Sequence, residues 1–221
     1  MHDLVFLMDV DNTLLDTDRV RELLADAMRR EVGHPLAERF WEIYEDVRAE
    51  LDHVSFPETI ERLARETDDL PALGQLSDLL YQFPFGECLF PGAIDALSHA
   101  SKLGLPVILS DGDQLFQRHK IRVSGIERAV GGRVLVQPHK ESRVSDIRRL
   151  FPARHYVLID DKPRIHGEMK QRMGAELTTI LVCQGRYAAA PSGSTTATDL
   201  ELAAIGDLVR LDAATMRAAA R

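Results

Sequence analysis

The chain has 221 residues, of which 45% are hydrophobic and 28% charged, as in an ordinary globular protein of one or two domains. These proportions exclude an intrinsically disordered chain, a collagen-like repeat and a disulfide-rich scaffold. The formal net charge is −8, whereas proteins that bind nucleic acids usually carry a basic surface, so we expect no nucleic-acid partner.

Five short apolar segments punctuate the chain, at residues 4–8, 107–109, 134–136, 156–159 and 179–182. Each is rich in Val, Ile and Leu without polar alternation, which is typical of strands buried on both faces of a parallel sheet. Helical periodicity separates the last four segments, over residues 114–123, 141–150 and 163–173. Alternating strands and helices predict an α/β fold with a doubly wound, mainly parallel, Rossmann-like sheet.

The stretch between the first two predicted strands, about residues 14–90, is too long for a single crossover. Apolar stripes over 20–28 and 36–51, a start at Pro57 and a stripe over 70–83 predict four helices. Residues 16–18 offer an N-cap for the first helix, and Gly33 a stop. We therefore predict a helical cap domain over residues 16–89, inserted into an α/β core domain formed by residues 1–15 and 90–221.

The C-terminal part of the sequence has a different composition. Residues 188–197 are rich in Ala, Ser, Thr, Gly and Pro, which predicts a surface loop. Residues 200–203 predict a short edge strand, and a final helix is expected to begin at about Asp207.

Two acidic residues, Asp9 and Asp11, follow the first strand in the sequence Asp-Val-Asp-Asn-Thr. Ligands of open α/β sheets bind beyond the carboxyl ends of strands, where carboxylates need a cation or hydrogen-bond donors. An EF-hand is excluded because Leu14 and Val20 stand where that loop requires Gly and Glu. Two interpretations remain, a turn with solvated acids and a Mg²⁺ site with a nucleophilic aspartate.

A second acidic pair, Asp160 and Asp161, follows the fourth strand. If the first and fourth strands are neighbours, Asp9, Asp11, Asp160 and Asp161 converge, and four like charges need a cation between them. Hard oxygen ligands of this kind suit Mg²⁺, which we predict as the cofactor. An exposed acidic turn is the alternative interpretation of this pair.

The ends of the second and third strands offer groups that suit a phosphate. Ser110, Asp111 and Gly112 follow the second strand, where a hydroxyl and free backbone N–H groups can bind anionic oxygens. Lys140 follows the third strand, and among the lysines we place only this one in a strand-end loop that precedes a helix. Its charge could neutralise a phosphate. Each feature alone is equally compatible with an ordinary turn or a surface lysine.

The order Asp-x-Asp-x-Thr, strand-end Ser, strand-end Lys and Asp-Asp resembles the four signature motifs of the haloacid dehalogenase-like (HAD) superfamily. The resemblance covers about residues 4–18 and 90–185, and the insert resembles that family's helical cap of the first type. It implies that Asp9 is the nucleophile, forming an aspartyl-phosphate, and that Asp11 protonates the leaving oxygen and later activates water.

The resemblance also implies how a metal and a phosphate would be held. Asp9, the backbone carbonyl of Asp11 and Asp161 would bind Mg²⁺, with Asp160 as a ligand or as support. Ser110 and Lys140 would hold the phosphoryl oxygens. The sequence departs from the commoner pattern in having Asn12 and Asp160 where relatives often have Gly, and Asp111 where they often have Asn.

Within the superfamily that the sequence resembles, Asp11 favours one class of reaction over another. Family members acting on C–halogen bonds generally lack this second aspartate, so we expect a Mg²⁺-dependent phosphatase that acts on a small phosphorylated metabolite. A phosphomutase of the same superfamily and a non-catalytic binding protein that retains the fold are the alternatives. We expect Arg118, His119 and Lys120 to form a solvated helix face, and Arg48 and His53 to be ordinary surface residues.

Neither a signal peptide nor a membrane span is apparent in the sequence. The N-terminal apolar run is short and lacks a basic region before it, and no stretch approaches about 18 apolar residues. The two cysteines, Cys88 and Cys183, lie far apart and fit no zinc pattern. We expect a cytoplasmic protein without a membrane partner, whose oligomeric state the sequence leaves open.

Overall fold

A computed structural model describes residues 1–51, 53–185 and 198–220. Within them, six strands form one parallel sheet in the order β3-β2-β1-β4-β5-β6. The strands are β1 (Val5–Met8), β2 (Leu105–Ser110), β3 (Val134–Val136), β4 (Tyr156–Asp160), β5 (Leu177–Val182) and β6 (Leu200–Leu202). The predicted α/β class with a parallel, Rossmann-like sheet is confirmed.

Helices cover both faces of this sheet, which explains why the strands show no polar alternation. The α-helices are α1 (Thr17–Val32), α2 (His34–Leu51), α3 (Phe56–Leu63), α4 (Leu70–Gln82), α5 (Ala93–Leu103), α6 (Gln114–Val123), α7 (Ile126–Ala129), α8 (Val144–Leu150), α9 (Pro163–Met173) and α10 (Ala213–Ala219). Short 3₁₀ helices lie at Phe85–Cys88, Lys140–Arg143, Gly174–Glu176 and Ile205–Arg210. None of the helices in the described ranges has the length and hydropathy of a transmembrane span.

The central strand, β1, is fully buried and divides its side chains between two cores. Val5 and Leu7 pack with α8 and α9 on one face of the sheet. Phe6 and Met8 face the other side, where α5 and most of the remaining helices pack. Because β1 pairs with β2 on one side and β4 on the other, the residues that follow these three strands lie at one edge of the sheet.

Helices α1–α4 occupy the long stretch between β1 and α5, where four helices were predicted. The Asp16 side chain accepts a hydrogen bond from the Arg19 amide and caps α1, which ends at Gly33. Apolar side chains such as Leu24, Met28 and Phe40 are buried between these helices. The division into a cap over 16–89 and a core formed by the rest stays a prediction.

The structure corrects the predicted elements at three places. The helix expected over 141–150 begins as the 3₁₀ helix Lys140–Arg143 and becomes α8 only afterwards. The final helix does not begin near Asp207, which lies in a 3₁₀ helix; it begins at Ala213, because Asp212 accepts a hydrogen bond from the Thr215 amide and caps it. Helix α5 was not predicted, and the predicted loop over 188–197 lies outside the described residues.

Candidate active site

The chain turns sharply after β1, and this turn presents Asp9 and Asp11 at the carboxyl edge of the sheet. The carbonyl of Val10 accepts hydrogen bonds from the amides of Thr13, Leu14 and Leu15. Asn12 adopts a left-handed backbone with φ of 60°, which asparagine tolerates better than most residues. The Asn found in place of the commoner Gly is therefore compatible with the turn.

Lys140 is completely buried and lies among three carboxylates. Its Nζ is 2.5 Å from Asp9 Oδ1, 2.6 Å from Asp160 Oδ2 and 3.9 Å from Asp111 Oδ2. The Lys140 amide donates to Asp111 Oδ1 at 2.9 Å, which fixes the start of the 3₁₀ helix. Burial alone would lower the pKa of Lys140, but the charges of Asp160, Asp9 and Asp111 outweigh it and raise the pKa. The surrounding carboxylates therefore favour the protonated, cationic form of Lys140.

Asp9, Asp160 and Asp161 form a buried acidic cluster, each offering an oxygen within 4.8 Å of the others. Asp9 Oδ2 and both carboxylate oxygens of Asp161 are buried without a hydrogen-bond partner among the described residues. Burial, together with the charges of Asp160 and Asp9, raises the pKa of Asp161 to about 8. Burial also raises the pKa of Asp9 to about 6, although Lys140 opposes it.

These orphaned oxygens fit a divalent cation, because hard carboxylate ligands are what Mg²⁺ prefers and a cation would relieve their repulsion. Asp160 Oδ1 accepts a hydrogen bond from the Lys162 amide at 2.9 Å. Its Oδ2 lies 2.6 Å from Lys140 Nζ but, like the oxygens above, is buried without a hydrogen-bond partner among the described residues. All three carboxylates of the cluster thus offer an oxygen to a cation, and Asp160 also contacts Lys140.

The carboxylate of Asp11 points away from this cluster, towards α1 and α6. Lys120 Nζ lies 2.6 Å from Oδ1, which also accepts the Thr17 hydroxyl at 2.8 Å, and Gln117 donates to Oδ2 at 2.8 Å. Burial would raise the pKa of Asp11, but the charge of Lys120 and these hydrogen bonds lower it to about 2. A ligand role for the Asp11 side chain receives no support from this orientation, whereas its predicted backbone contribution stays a prediction.

The expectation that Lys120 lies on a solvated helix face is wrong. Lys120 is buried on the face of α6 that also buries Phe116, four residues earlier. This spacing was the available signal, since residues four apart share a helix face. Arg118 is exposed and pairs with Glu127, whereas His119 is half-buried and contacts the Tyr81 carbonyl.

At the end of β2, Ser110 is buried and its hydroxyl accepts a hydrogen bond from Gln117 at 2.8 Å. Gly112 adopts a φ of 137°, a backbone conformation that favours glycine. Lys162 follows β4 and precedes α9, so the expectation that only Lys140 occupies such a loop is wrong. Burial would lower the pKa of Lys162, but the charge of Asp9, followed by those of Asp160 and Asp161, raises it despite Lys140.

A cavity of about 290 Å³ opens above these residues. Its lining on the sheet side includes Asp11, Asp111, Gly112, Asp161 and Lys162. Its lining on the side of α1–α3 and their connections includes Arg21, Trp41, Tyr44, Arg48, His53 and Phe56. Arg48 and His53 were expected to be ordinary surface residues, but both contribute to this cavity. Ser110 and Lys140 are buried next to Gln117 and Asp111, which line it.

The chain is similar to known proteins in sequence and in fold. The family model described as "haloacid dehalogenase-like hydrolase" matches residues 4–174. A solved protein from Burkholderia xenovorans, described as a haloacid dehalogenase-like hydrolase, is 43% identical to this chain. The alignment covers 96% of this chain and 100% of that one, with a TM-score of 0.88. No curated protein matches the sequence significantly.

More distant solved structures share the fold. The HAD-hydrolase YfnB from Bacillus subtilis, bound to magnesium, is 16% identical over 94% of this chain and 97% of its own, with a TM-score of 0.64. An L-2-haloacid dehalogenase from Xanthobacter autotrophicus, with chloropropionic acid covalently bound, is 20% identical over 96% of this chain and 98% of its own, with a TM-score of 0.58. Identities this low carry the similarity of fold and nothing about the substrate.

Proposed function

The chain belongs to the haloacid dehalogenase-like hydrolase family, and from this premise we propose that it is a Mg²⁺-dependent phosphatase of small phosphorylated metabolites. The reaction would proceed through an aspartyl-phosphate on Asp9. The observation that carries this proposal is the carboxylate of Asp11, which lines the cavity two residues after Asp9 and is held by Lys120, Gln117 and Thr17.

The second acid distinguishes cleavage of a phosphate ester from cleavage of a C–halogen bond. A phosphate ester leaves as an alcohol and needs a proton on its oxygen, and the covalent intermediate then needs a base that activates water. A halide leaves as a stable anion and needs no proton, so a dehalogenase has no use for an acid at this position. The lack of this aspartate in family members that cleave C–halogen bonds agrees with that chemistry.

Each step has a residue of the chain to perform it. Lys140 pairs with Asp9 Oδ1, orients the nucleophile and opposes the rise in its pKa that burial causes. Asp9 attacks phosphorus as the bond to the ester oxygen breaks. Because the ion pair with Lys120 holds Asp11 ionised, the proton for the departing oxygen would come from the monoanionic phosphate ester and pass through Asp11. Asp11 then accepts a proton from the water that hydrolyses the aspartyl-phosphate. The Ser110 hydroxyl and the backbone around Gly112 hold the phosphoryl oxygens. Magnesium bound by Asp9 and Asp161 would supply positive charge that lets an anionic phosphate approach these acids.

The test is the release of phosphate from p-nitrophenyl phosphate by the purified protein. We expect turnover with Mg²⁺, none after EDTA, and recovery when Mg²⁺ is returned. Asp9→Asn should abolish turnover, because the amide cannot act as the nucleophile. The circular-dichroism spectrum of this variant should be unchanged. Asp113→Asn is the matched control, since this half-buried N-cap of α6 lies outside the cavity and asparagine caps equally well.

Turnover by Asp9→Asn, or activity that ignores EDTA, would refute the proposal. Chloride release from L-2-chloropropionate without Mg²⁺ would make the chain a dehalogenase instead. Conversion of a hexose phosphate into its isomer, without free phosphate, would make it a phosphomutase.

A further inference from the structure

Arg21 on α1 is held in place on three sides at the wall of the cavity. Its guanidinium carbon lies 5.0 Å from the ring centroid of Trp41 and 5.4 Å from that of Tyr44. Its Nη1 is 2.6 Å from Glu45 Oε1. A guanidinium fixed in this way loses little conformational freedom when it binds a further group, so it is preorganised for recognition.

A second arginine, Arg48, shares the same carboxylate. Its Nη1 lies 3.0 Å from Glu45 Oε2, while Arg21 occupies Oε1. Two guanidinium groups on one carboxylate leave one positive charge in excess on this wall of the cavity. Both arginines line the cavity, and Glu45 does not.

The aromatic rings beneath Arg21 support the guanidinium and are not free to stack on a ligand. Trp41 and Tyr44 lie with centroids 5.1 Å apart, and Arg21 stacks over both rings. A planar base or aryl group would have to displace this cation and break its pair with Glu45. The exposed chemistry of this wall is therefore a cationic hydrogen-bond donor, which suits an anionic oxygen group.

The lining of the cavity carries more cationic than acidic side chains, although the protein as a whole has a formal charge of −8 and one of these cations, Arg164, pairs with Glu168. The cations are Arg21, Arg48, Lys120, Lys162 and Arg164, and the acids are Asp11, Asp111 and Asp161. Lys120 is committed to Asp11, and Lys162 stands beside the acidic cluster. The excess charge on the α1–α2 wall is separate from the cations that would serve the transferred phosphate.

We propose that Arg21, with Arg48 beside it, forms a subsite for a second anionic group of the substrate, a carboxylate or a second phosphate. The substrate class is then phosphate monoesters that carry another acid on the same small molecule. This inference rests on the proposed phosphatase function for the fate of the ester, whereas the subsite itself is a statement about binding. Arg21 is the specificity-determining residue in it.

The test uses three matched esters on a propyl chain: propyl phosphate, 3-(phosphonooxy)propanoate and propane-1,3-diyl bisphosphate. Analogues with two to five carbons between the groups ensure that spacer length does not decide the result. We expect kcat/KM for at least one ester with a second acid group to exceed that of the ester without one by about 10- to 100-fold, the range for hydrogen bonds to charged groups. The carboxylate and bisphosphate arms identify which anion is preferred.

Arg21→Met should reduce this preference to a ratio near 1, because methionine keeps apolar bulk beside Trp41 and Tyr44 but has no charge or donor. Arg21→Lys, which keeps the charge, should retain part of the preference and guards against a folding defect in the first variant. Arg29→Met is the matched control on the same helix, since Arg29 pairs with Asp26 and lies outside the cavity. Its selectivity should equal that of the parent protein.

Binding measured by calorimetry separates failure of the subsite from failure of the phosphatase. If no ester is hydrolysed, the proposed reaction is wrong, and the affinities of the unreacted esters for the parent protein and Arg21→Met still test the subsite. Tighter binding of an acid-bearing ester that depends on Arg21 supports the subsite with or without turnover. The proposed subsite would be overturned by equal affinities for esters with and without a second acid group at every spacer length. A preference that is unchanged in Arg21→Met would overturn it as well.

Discussion

Lys120 and Asp11 form an ion pair that controls the charge of the second acid. The side chains are 9% and 27% exposed, and Nζ lies 2.6 Å from Oδ1. The pKa of Asp11 falls from 3.8 to about 2, because Lys120 and its neighbours outweigh the effect of burial. A carboxyl whose pKa is lower in the folded state stabilises the fold above its unfolded pKa, and this contribution is lost as the pH falls towards 2.

Lys120→Met should therefore lower the free energy of unfolding at pH 7 by about 2 kcal/mol, because Asp11 keeps its burial but loses its cation. The deficit should shrink at pH 3, where Asp11 is protonated in the unfolded chain. Urea denaturation at both pH values measures this difference. Lys102→Met, an exposed position on α5, is the matched control and should stay within about 0.5 kcal/mol of the parent. An equal deficit at both pH values would contradict the ion-pair explanation.

Which site residues could be predicted depends on whether their position follows from chain order. Asp9, Ser110 and Asp160 end or follow buried strands, and parallel strands bring such residues to one edge. The position of Arg21 depends on how α1 packs against α2. The sequence does not reveal this packing, because a charged residue on a helix is ordinarily expected to face solvent. The burial of Lys120 was readable from its spacing to Phe116, but an amphipathic pattern gives no reason to pair a lysine with a distant acid.

At the scale of elements, α6 connects the helices between β1 and α5 with the sheet. Its Phe116 packs against Phe56 of α3, Tyr81 of α4 and Phe85, with ring centroids 4.9, 5.5 and 6.1 Å apart. The same helix carries Gln117, next to Phe116, and Lys120 one turn later, and both hold Asp11. Packing at Phe116 and the orientation of Asp11 are therefore coupled through one helix.

Phe116→Ala should destabilise the protein by about 3–4 kcal/mol, because it leaves a cavity among aromatic rings. It should also lower kcat for phosphate release, since α6 no longer positions the partners of Asp11. Phe116→Leu fills most of that volume and should cost under about 1.5 kcal/mol with little change in kcat. Denaturation and steady-state kinetics of the two variants measure these effects. Full activity in a destabilised Phe116→Ala protein would separate the packing from the chemistry.

The elements that could be predicted are those with one dominant local signal. Buried strands such as β3 (Val134–Val136) and helices such as α9 (Pro163–Met173) match their predicted bounds, because apolar runs and proline or glycine boundaries define them. The last helix could not be placed from sequence, since Asp207 and Asp212 both suit an N-cap. Tertiary packing decides between them by burying Leu208 in a 3₁₀ turn.

At the scale of the whole molecule, the buried acidic cluster lowers the stability of the fold when no cation is bound. Asp161 has both oxygens buried without a hydrogen-bond partner in the described structure, and its pKa is raised from 3.8 to about 8. An acid whose pKa is higher in the folded state favours folding less as the pH rises from about 4 to 8. The metal-free protein should therefore lose stability over this range, and a bound divalent cation should restore it.

Asp161→Asn should accordingly raise the melting temperature of the metal-free protein at pH 8 by about 3–10 °C, because the amide removes a repelled, desolvated charge. The same substitution should abolish the rise in melting temperature that millimolar Mg²⁺ gives the parent, since Asp161 is a proposed ligand. Thermal unfolding with EDTA and with Mg²⁺, at pH 6 and pH 8, measures both effects. The gain from the substitution should be larger at pH 8, where the folded parent is forced to ionise Asp161.

Asp146→Asn, an exposed partner of Arg149, is the matched control and should change neither value. A metal-free Asp161→Asn protein less stable than the parent, or one that Mg²⁺ still stabilises fully, would contradict a metal site at this cluster.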